Sequence, residues 1–197
     1  MNIIQNHQPL AEDILTAAHR FYRLQYQMSD GGNLSARIPG TPYMMVKATN
    51  VDFGSLNLET LVVTDFEGHK VEGEAEPSKE SLLHGAIYAA CPDVGAVMHC
   101  HSPYATAWAA HHDTLDFSTH HAKIKLGGHC PVLDTNSYVV PPEYFGIILE
   151  EIKKHPKMLA FLLRGHGQVA MGKTMHKAAL IAELVEETAM IARLSAL

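Results

Sequence analysis

His99 and His101, within Ala96-Val97-Met98-His99-Cys100-His101-Ser102, are the residues whose types and spacing are best suited to chemistry. The stretch Val94–Met98 is short and apolar, follows Pro92 and Asp93, and reads as a buried strand. Alternate side chains of a strand share one face at a rise of about 3.3 Å per residue, so the two imidazoles project together with Cα atoms roughly 6.5 Å apart. That separation suits two nitrogens converging on one ion through bonds of about 2.0–2.1 Å. The pair is a metal signal rather than a complete site, and among 14 histidines a single His-x-His also arises from composition alone.

Two other places are costly for a purely structural chain. Arg164-Gly165-His166-Gly167 follows the apolar stretch Leu159–Leu163 directly. A histidine between two glycines can simply decorate a turn. Its place at the end of a buried strand is also where ligand sites of α/β sheets gather. Glu80 closes Pro77-Ser78-Lys79-Glu80, which opens a helix with Ser78 as N-cap. The helix dipole favours an acid in that first turn. Beside a metal centre, the same carboxylate can act as a base. Three neutral imidazoles leave a zinc ion a coordination position for substrate or water, as catalytic zinc requires.

The elements that position these residues follow from periodicity. Leu10–Gln27 has helical spacing and ends at Ser29-Asp30-Gly31-Gly32-Asn33, where two glycines permit tight turns. Strands are expected at Leu34–Ile38 and Tyr43–Ala48, and a hairpin joins Leu61–Phe66 to Lys70–Glu72 through Glu67-Gly68-His69. Helices are expected at Pro103–His111, Pro141–Lys154 and Lys173–Ala196, and strands at Leu159–Leu163 and Gln168–Met171. The segment from His112 to Tyr138 carries no clear period. This order indicates an α/β fold, a single domain over residues 1–197 with a central mixed sheet covered by helices.

Composition narrows the function classes. The 197 residues are 47% hydrophobic and 18% charged, ordinary for a globular protein, and no apolar run approaches the roughly 20 residues that span a bilayer. The N-terminus lacks the pattern of a signal peptide, so a cytoplasmic location is expected. A net charge of −6 without a basic stripe gives no support for nucleic-acid binding. Three unpatterned cysteines argue against a disulfide framework, with Cys91 packed in a core and Cys100 facing away from the adjacent histidines.

Taken in order, Gly31-Gly32-Asn33-Leu34-Ser35, Pro77-Ser78-Lys79-Glu80 through His84, His99-Cys100-His101 and Arg164-Gly165-His166-Gly167 resemble the class II aldolase/adducin family over nearly the whole chain. The resemblance implies one divalent ion per subunit, zinc with manganese or cobalt as alternatives, held by His99, His101 and His166, with Glu80 as acid/base residue. It also implies an anion pocket from Gly32, Asn33, Thr49, Asn50, Ser78 and Lys79, and a homotetramer with active sites near subunit boundaries. His121 stands near the family's proton-donor tyrosine. Asn50 and Lys79 depart from the usual glycine and serine, which bears on the substrate more than on the metal.

The activity so implied is class II aldol cleavage of a phosphorylated ketose through a metal-stabilised enediolate. Decarboxylation, dehydration or epimerisation of a sugar phosphate or keto acid uses the same centre. A Schiff-base aldolase would need an activated lysine, for which Lys123 and Lys125 on one strand face are candidates. Adducin-like, non-catalytic interaction is the contrasting class. His111, His112, His120 and His129 suggest a second metal site by type, but are assigned instead to the surface or to local hydrogen bonds.

Overall fold

A computed structural model describes residues 2–195 of the chain. Apolar residues at Ala11, Ile14, Ala18 and Phe21 give the helix following α1 (Ile3–Asn6) one buried side, and α2 runs from Gln8 to Arg23. It stops earlier than its periodicity suggests, because Gln25 adopts a positive φ of 59° and the chain turns toward the sheet. Strands β1 (Asn33–Arg37), β2 (Tyr43–Lys47), β3 (Leu61–Asp65) and β4 (Lys70–Glu72) form an antiparallel meander. Helix α3 (Ser81–Ala90) then leads to β5 (Ala96–Cys100), which returns to pair antiparallel with β1.

Helices α4 (Pro103–Ala109) and α5 (His120–Lys125) precede a short edge strand β6 (Val132–Leu133), and α6 (Phe145–Lys154) precedes β7 (Ala160–Leu163). The final hairpin partner β8 (Gly167–Gly172) lies between β7 and β5, and α7 (Met175–Ser195) closes the fold. The eight-stranded sheet has the order β4-β3-β2-β1-β5-β8-β7-β6, mixed because β6 and β7 are parallel. The single-domain α/β architecture expected from the sequence is therefore the one observed.

Strand alternation sends side chains into two separate layers. On one face Met98, Cys100, Leu162 and Ala170 pack beneath α2, α4 and α7. On the other, Val97, Phe161, Val169 and Met171 pack against α3 and α6. Cys100 thus faces away from His99, as its odd position along the strand requires, and Cys91 is only partly buried against the second layer. No helix among the described residues is long and apolar enough to cross a membrane.

Three local expectations are corrected. Ser78 is not the N-cap of α3, which begins at Ser81 with Glu80 in the cap position and no side-chain cap bond. The Glu80 carboxylate is drawn instead toward Asn33 and His99. Lys123 and Lys125 lie on helix α5, whose start is capped by Thr119 Oγ1 accepting from Ala122 N at 3.1 Å, and do not share a strand face. The terminal helix starts at Met175 rather than Lys173, because Thr174 caps it by accepting from Lys177 N, and Ala196 lies outside the described residues.

Candidate active site

The sheet register brings the three separated histidines together. In β5, His99 opposes Val169 of β8 and Cys100 opposes Gln168. On β8's other side, Gly167 pairs with Leu163 of β7, so Arg164, Gly165 and His166 form the tight turn of that hairpin. Gly165 supplies the positive φ of 63° that the turn needs. A Cβ on Gly167 would lie 2.5 Å from the Cys100 carbonyl oxygen and 2.9 Å from the His101 ring, so only glycine lets the turn approach β5. His166 therefore arrives beside His99 and His101.

His99 Nε2 lies 3.1 Å from His101 Nε2, 3.2 Å from His166 Nε2 and 3.2 Å from Glu80 Oε2. The His99 tautomer is fixed by its other nitrogen. Nδ1 is 2.8 Å from the Gln168 carbonyl oxygen, which can only accept, so Nδ1 carries the proton and Nε2 presents a lone pair. Burial pushes His99, His101 and His166 down to about 4, which keeps all three rings neutral near pH 7. Three imidazole nitrogens thus meet within 4.8 Å of one another with no proton on His99 Nε2 to share, and the Glu80 carboxylate lies beside them. Such a set of nitrogens fits a divalent cation of the kind zinc represents.

Glu80 is buried and held from two sides. Asn33 Nδ2 donates to Oε2 at 2.8 Å, and Val140 N donates to Oε1 at 3.4 Å. Asn33 reaches it because β1 lies beside β5, with Asn33 opposite His99. Behind the triad, Gln27 Oε1 accepts from the His101 backbone N–H at 2.8 Å, while Gln27 Nε2 donates to the Met28 carbonyl at 2.7 Å. Helical periodicity gave no signal for Gln27 in this role, and nothing in the sequence marks the Gln168 carbonyl as the partner of His99.

A cavity of about 380 Å³ opens beside the triad and is lined by Gly32, Asn33, Thr49, Asn50, Ser78 and Lys79, together with Glu80, His101 and His166. Its walls are two adjacent loops, since Ala48 bridges Pro77 and Ser78 N donates to the Lys47 carbonyl at 3.1 Å. Lys47 is buried at the cavity's base, donating from Nζ to the carbonyl oxygens of Asp30 and Ala48, each at 3.2 Å, and to that of Val51. Burial lowers this ammonium to about 8, against the opposing pull of Asp30 and Asp52. A second lobe of about 480 Å³ shares His101, His166 and Tyr138 with the first and adds Arg164, Asn136 and Ser137.

His121 is brought to neither lobe, being exposed on α5. His112 stacks on Trp108 with ring centroids 3.7 Å apart and bonds the Trp108 carbonyl, a local structural use.

Comparison with known proteins places this geometry. The family model described as Class II Aldolase and Adducin N-terminal domain matches residues 12–193. A 3-oxo-tetronate 4-phosphate decarboxylase of Haemophilus influenzae is 34% identical over 175 residues, covering 87% of this chain and 80% of that protein. A methylthioribulose-1-phosphate dehydratase of Pseudomonas fluorescens is 27% identical over 184 residues, covering 86% of this chain and 85% of its own. Among solved structures, an L-fuculose 1-phosphate aldolase superposes with a TM-score of 0.85 at 26% identity, covering 95% of this chain and 86% of that one. The relatives are enzymes, of several reaction types. The shared profile, the sheet order and the meeting of its motifs in one cavity make this chain a member of the class II aldolase and adducin family.

Proposed function

We propose that the chain is a divalent-metal-dependent carbon–carbon lyase acting on a small phosphorylated ketose or keto acid. The observation that carries this reading is the meeting of the His99, His101 and His166 Nε2 atoms beside the Glu80 carboxylate. These histidines would hold the ion, zinc or in its place manganese or cobalt, which supplies Lewis-acid polarisation of the substrate carbonyl. Glu80 handles the proton. When the bond next to the carbonyl breaks, its electron pair stays on the adjoining carbon, and Glu80 relays a proton from water to that carbon. Asn33 and Val140 hold the carboxylate in place for that transfer.

The substrate phosphate lies in the first lobe, against the Thr49 and Ser78 hydroxyls, the Asn50 amide, the Gly32–Asn33 backbone and the Lys79 ammonium. Ser78, Lys79 and the α3 cap residue Glu80 line the same lobe, so the positive end of the helix dipole lies near the anion. Decarboxylation of a phosphorylated 3-keto acid asks least of the chain, because carbon dioxide departs and one carbon needs one proton. It is also the named activity of the 34% identical relative. Aldol cleavage needs a second group to take the proton of the departing aldehyde's hydroxyl, and His121 of a neighbouring copy in a homotetramer would fill that part.

Dehydration or epimerisation is the second reading, favoured by the similarity to a methylthioribulose-1-phosphate dehydratase. In dehydration Glu80 would remove a proton from the carbon next to the carbonyl, and the hydroxyl on the following carbon would leave as water. Screening the metal-loaded protein against phosphorylated 3-keto acids and ketose 1-phosphates separates the readings. Release of carbon dioxide or of dihydroxyacetone phosphate is expected. Water loss or inversion without carbon–carbon cleavage would favour the second reading, and inactivity on all of them, with metal bound, would contradict both.

A further inference from the structure

Away from the triad, a second group of potential ligands meets at the C-terminal end of α6. Glu151 begins the last turn of that helix and His155 is its C-cap residue, four positions on and therefore on the same face. The turn between them is intact, with His155 N donating to the Glu151 carbonyl at 3.1 Å. His129 arrives from the loop between α5 and β6. That loop is pressed against the chain leaving α6, since a Cβ on Gly127 would fall 1.7 Å from the Lys157 carbonyl oxygen and Gly127 has a φ of 77°. His129 Nε2 lies 2.8 Å from Glu151 Oε1, and His155 Nε2 lies 3.3 Å from that same oxygen.

We infer that His129, Glu151 and His155 form a second divalent-metal site, for a borderline ion such as zinc. Two imidazoles, with ring centroids 3.9 Å apart, address one carboxylate oxygen, so three donor groups converge on one place. The donor atoms all lie within 4.8 Å of one another, and ligands about 2.0–2.2 Å from a tetrahedral zinc ion are separated by roughly 3.4 Å. Side-chain rotation of His155, the most exposed of the three, would bring the donors toward that spacing. The helix end adds a further attraction, because its last carbonyl oxygens carry partial negative charge and favour a cation. An ion here would tie the α5–β6 loop to α6, a clamp with no part in the catalytic cavity.

Zinc titration of the metal-free 197-residue chain against a chromophoric chelator tests the inference. The wild type should bind two ions per chain, the double variant H129Q/H155Q should lose one of them, and H99Q/H166Q should lose the other. The milder E151Q keeps both imidazoles and should weaken the same ion as H129Q/H155Q, so misfolding of the double variant leaves the test intact. Cobalt in place of zinc should give visible absorption bands in H99Q/H166Q, from the second site alone. Zinc binding unchanged by both H129Q/H155Q and E151Q would overturn the inference. So would a wild type that binds only the ion lost in H99Q/H166Q, an outcome that leaves the triad reading standing. Loss of the sole ion in H129Q/H155Q would uphold the inference and defeat the triad instead.

Discussion

His99 Nε2 is left with a free lone pair by what its other nitrogen touches. The Gln168 carbonyl takes the Nδ1 proton, and Asn33 fixes the carboxylate that faces the resulting lone pair. Removing the charge of Glu80 while keeping its shape separates metal holding from proton transfer. In Glu80→Gln the bound metal should remain, while kcat falls by about 100-fold or more, the range for loss of a general acid/base group. Metal analysis and kinetics on one preparation check this, and undiminished turnover would contradict the assignment. Gly32 is a second sensitive position. Its φ is 62°, and an added Cβ would meet Gln27 Oε1 at 2.5 Å and the His99 carbonyl oxygen at 2.9 Å. Gly32→Ala should lower stability by about 1–3 kcal/mol, the usual cost of strain at a left-handed position, measurable by urea unfolding. The three histidines and Glu80 were readable from the sequence as candidates because metals and proton transfer demand specific side chains. Gln27 and the Gln168 carbonyl were not, since a glutamine between helix and turn and a backbone oxygen leave no pattern.

At the scale of elements, α3 is bolted to β1 by a buried polar group that must stay neutral. Ser35 Oγ lies 2.8 Å from both His84 Nδ1 and Tyr88 Oη, and Tyr88 donates to the Ser35 carbonyl. Burial drives His84 down to about 3 from 6.5, with His99 acting in the same direction. The unfolded chain therefore binds a proton at this position that the folded chain refuses between those two values. Stability from this residue is complete above pH 6.5 and is lost as pH falls toward 3, at up to about 1.4 kcal/mol per pH unit. Metal-free His84→Gln should lose less stability than metal-free wild type between pH 6.5 and 4, as followed by urea midpoints, and identical slopes would contradict it. Long periodic elements such as α2 and α6 were legible within a few residues. The segment from 112 to 138 was not, because α5 has six residues and β6 two, too short to complete a period. The lysines of α5 alternate as they would on a strand, and only the Thr119 cap decides for helix.

For the whole molecule, the order of the sheet is the mechanism of assembly. Strands β1, β5 and β8 are neighbours in space but are separated in sequence by the meander and by four helices, so the site exists only once the sheet is complete. Sequence order could list the motifs, whereas the antiparallel pairing of β8 with β5 that joins them is a long-range choice with no local signature. The aldol version of the proposal extends the site across copies. Inactive Glu80→Gln and His121→Gln subunits, dissociated and reassembled together, should then recover part of the wild-type activity on ketose phosphates. A site that takes Glu80 from a His121→Gln subunit and His121 from its Glu80→Gln neighbour has both groups intact, and no recovery would contradict a contribution from a neighbour.

Crystals of the zinc-loaded protein, measured with anomalous scattering at the zinc edge, address the shared centre itself. The account predicts a strong peak about 2.0–2.1 Å from Nε2 of His99, His101 and His166 together. A peak that leaves out His166, or zinc-loaded crystals with no peak beside Glu80, would contradict it.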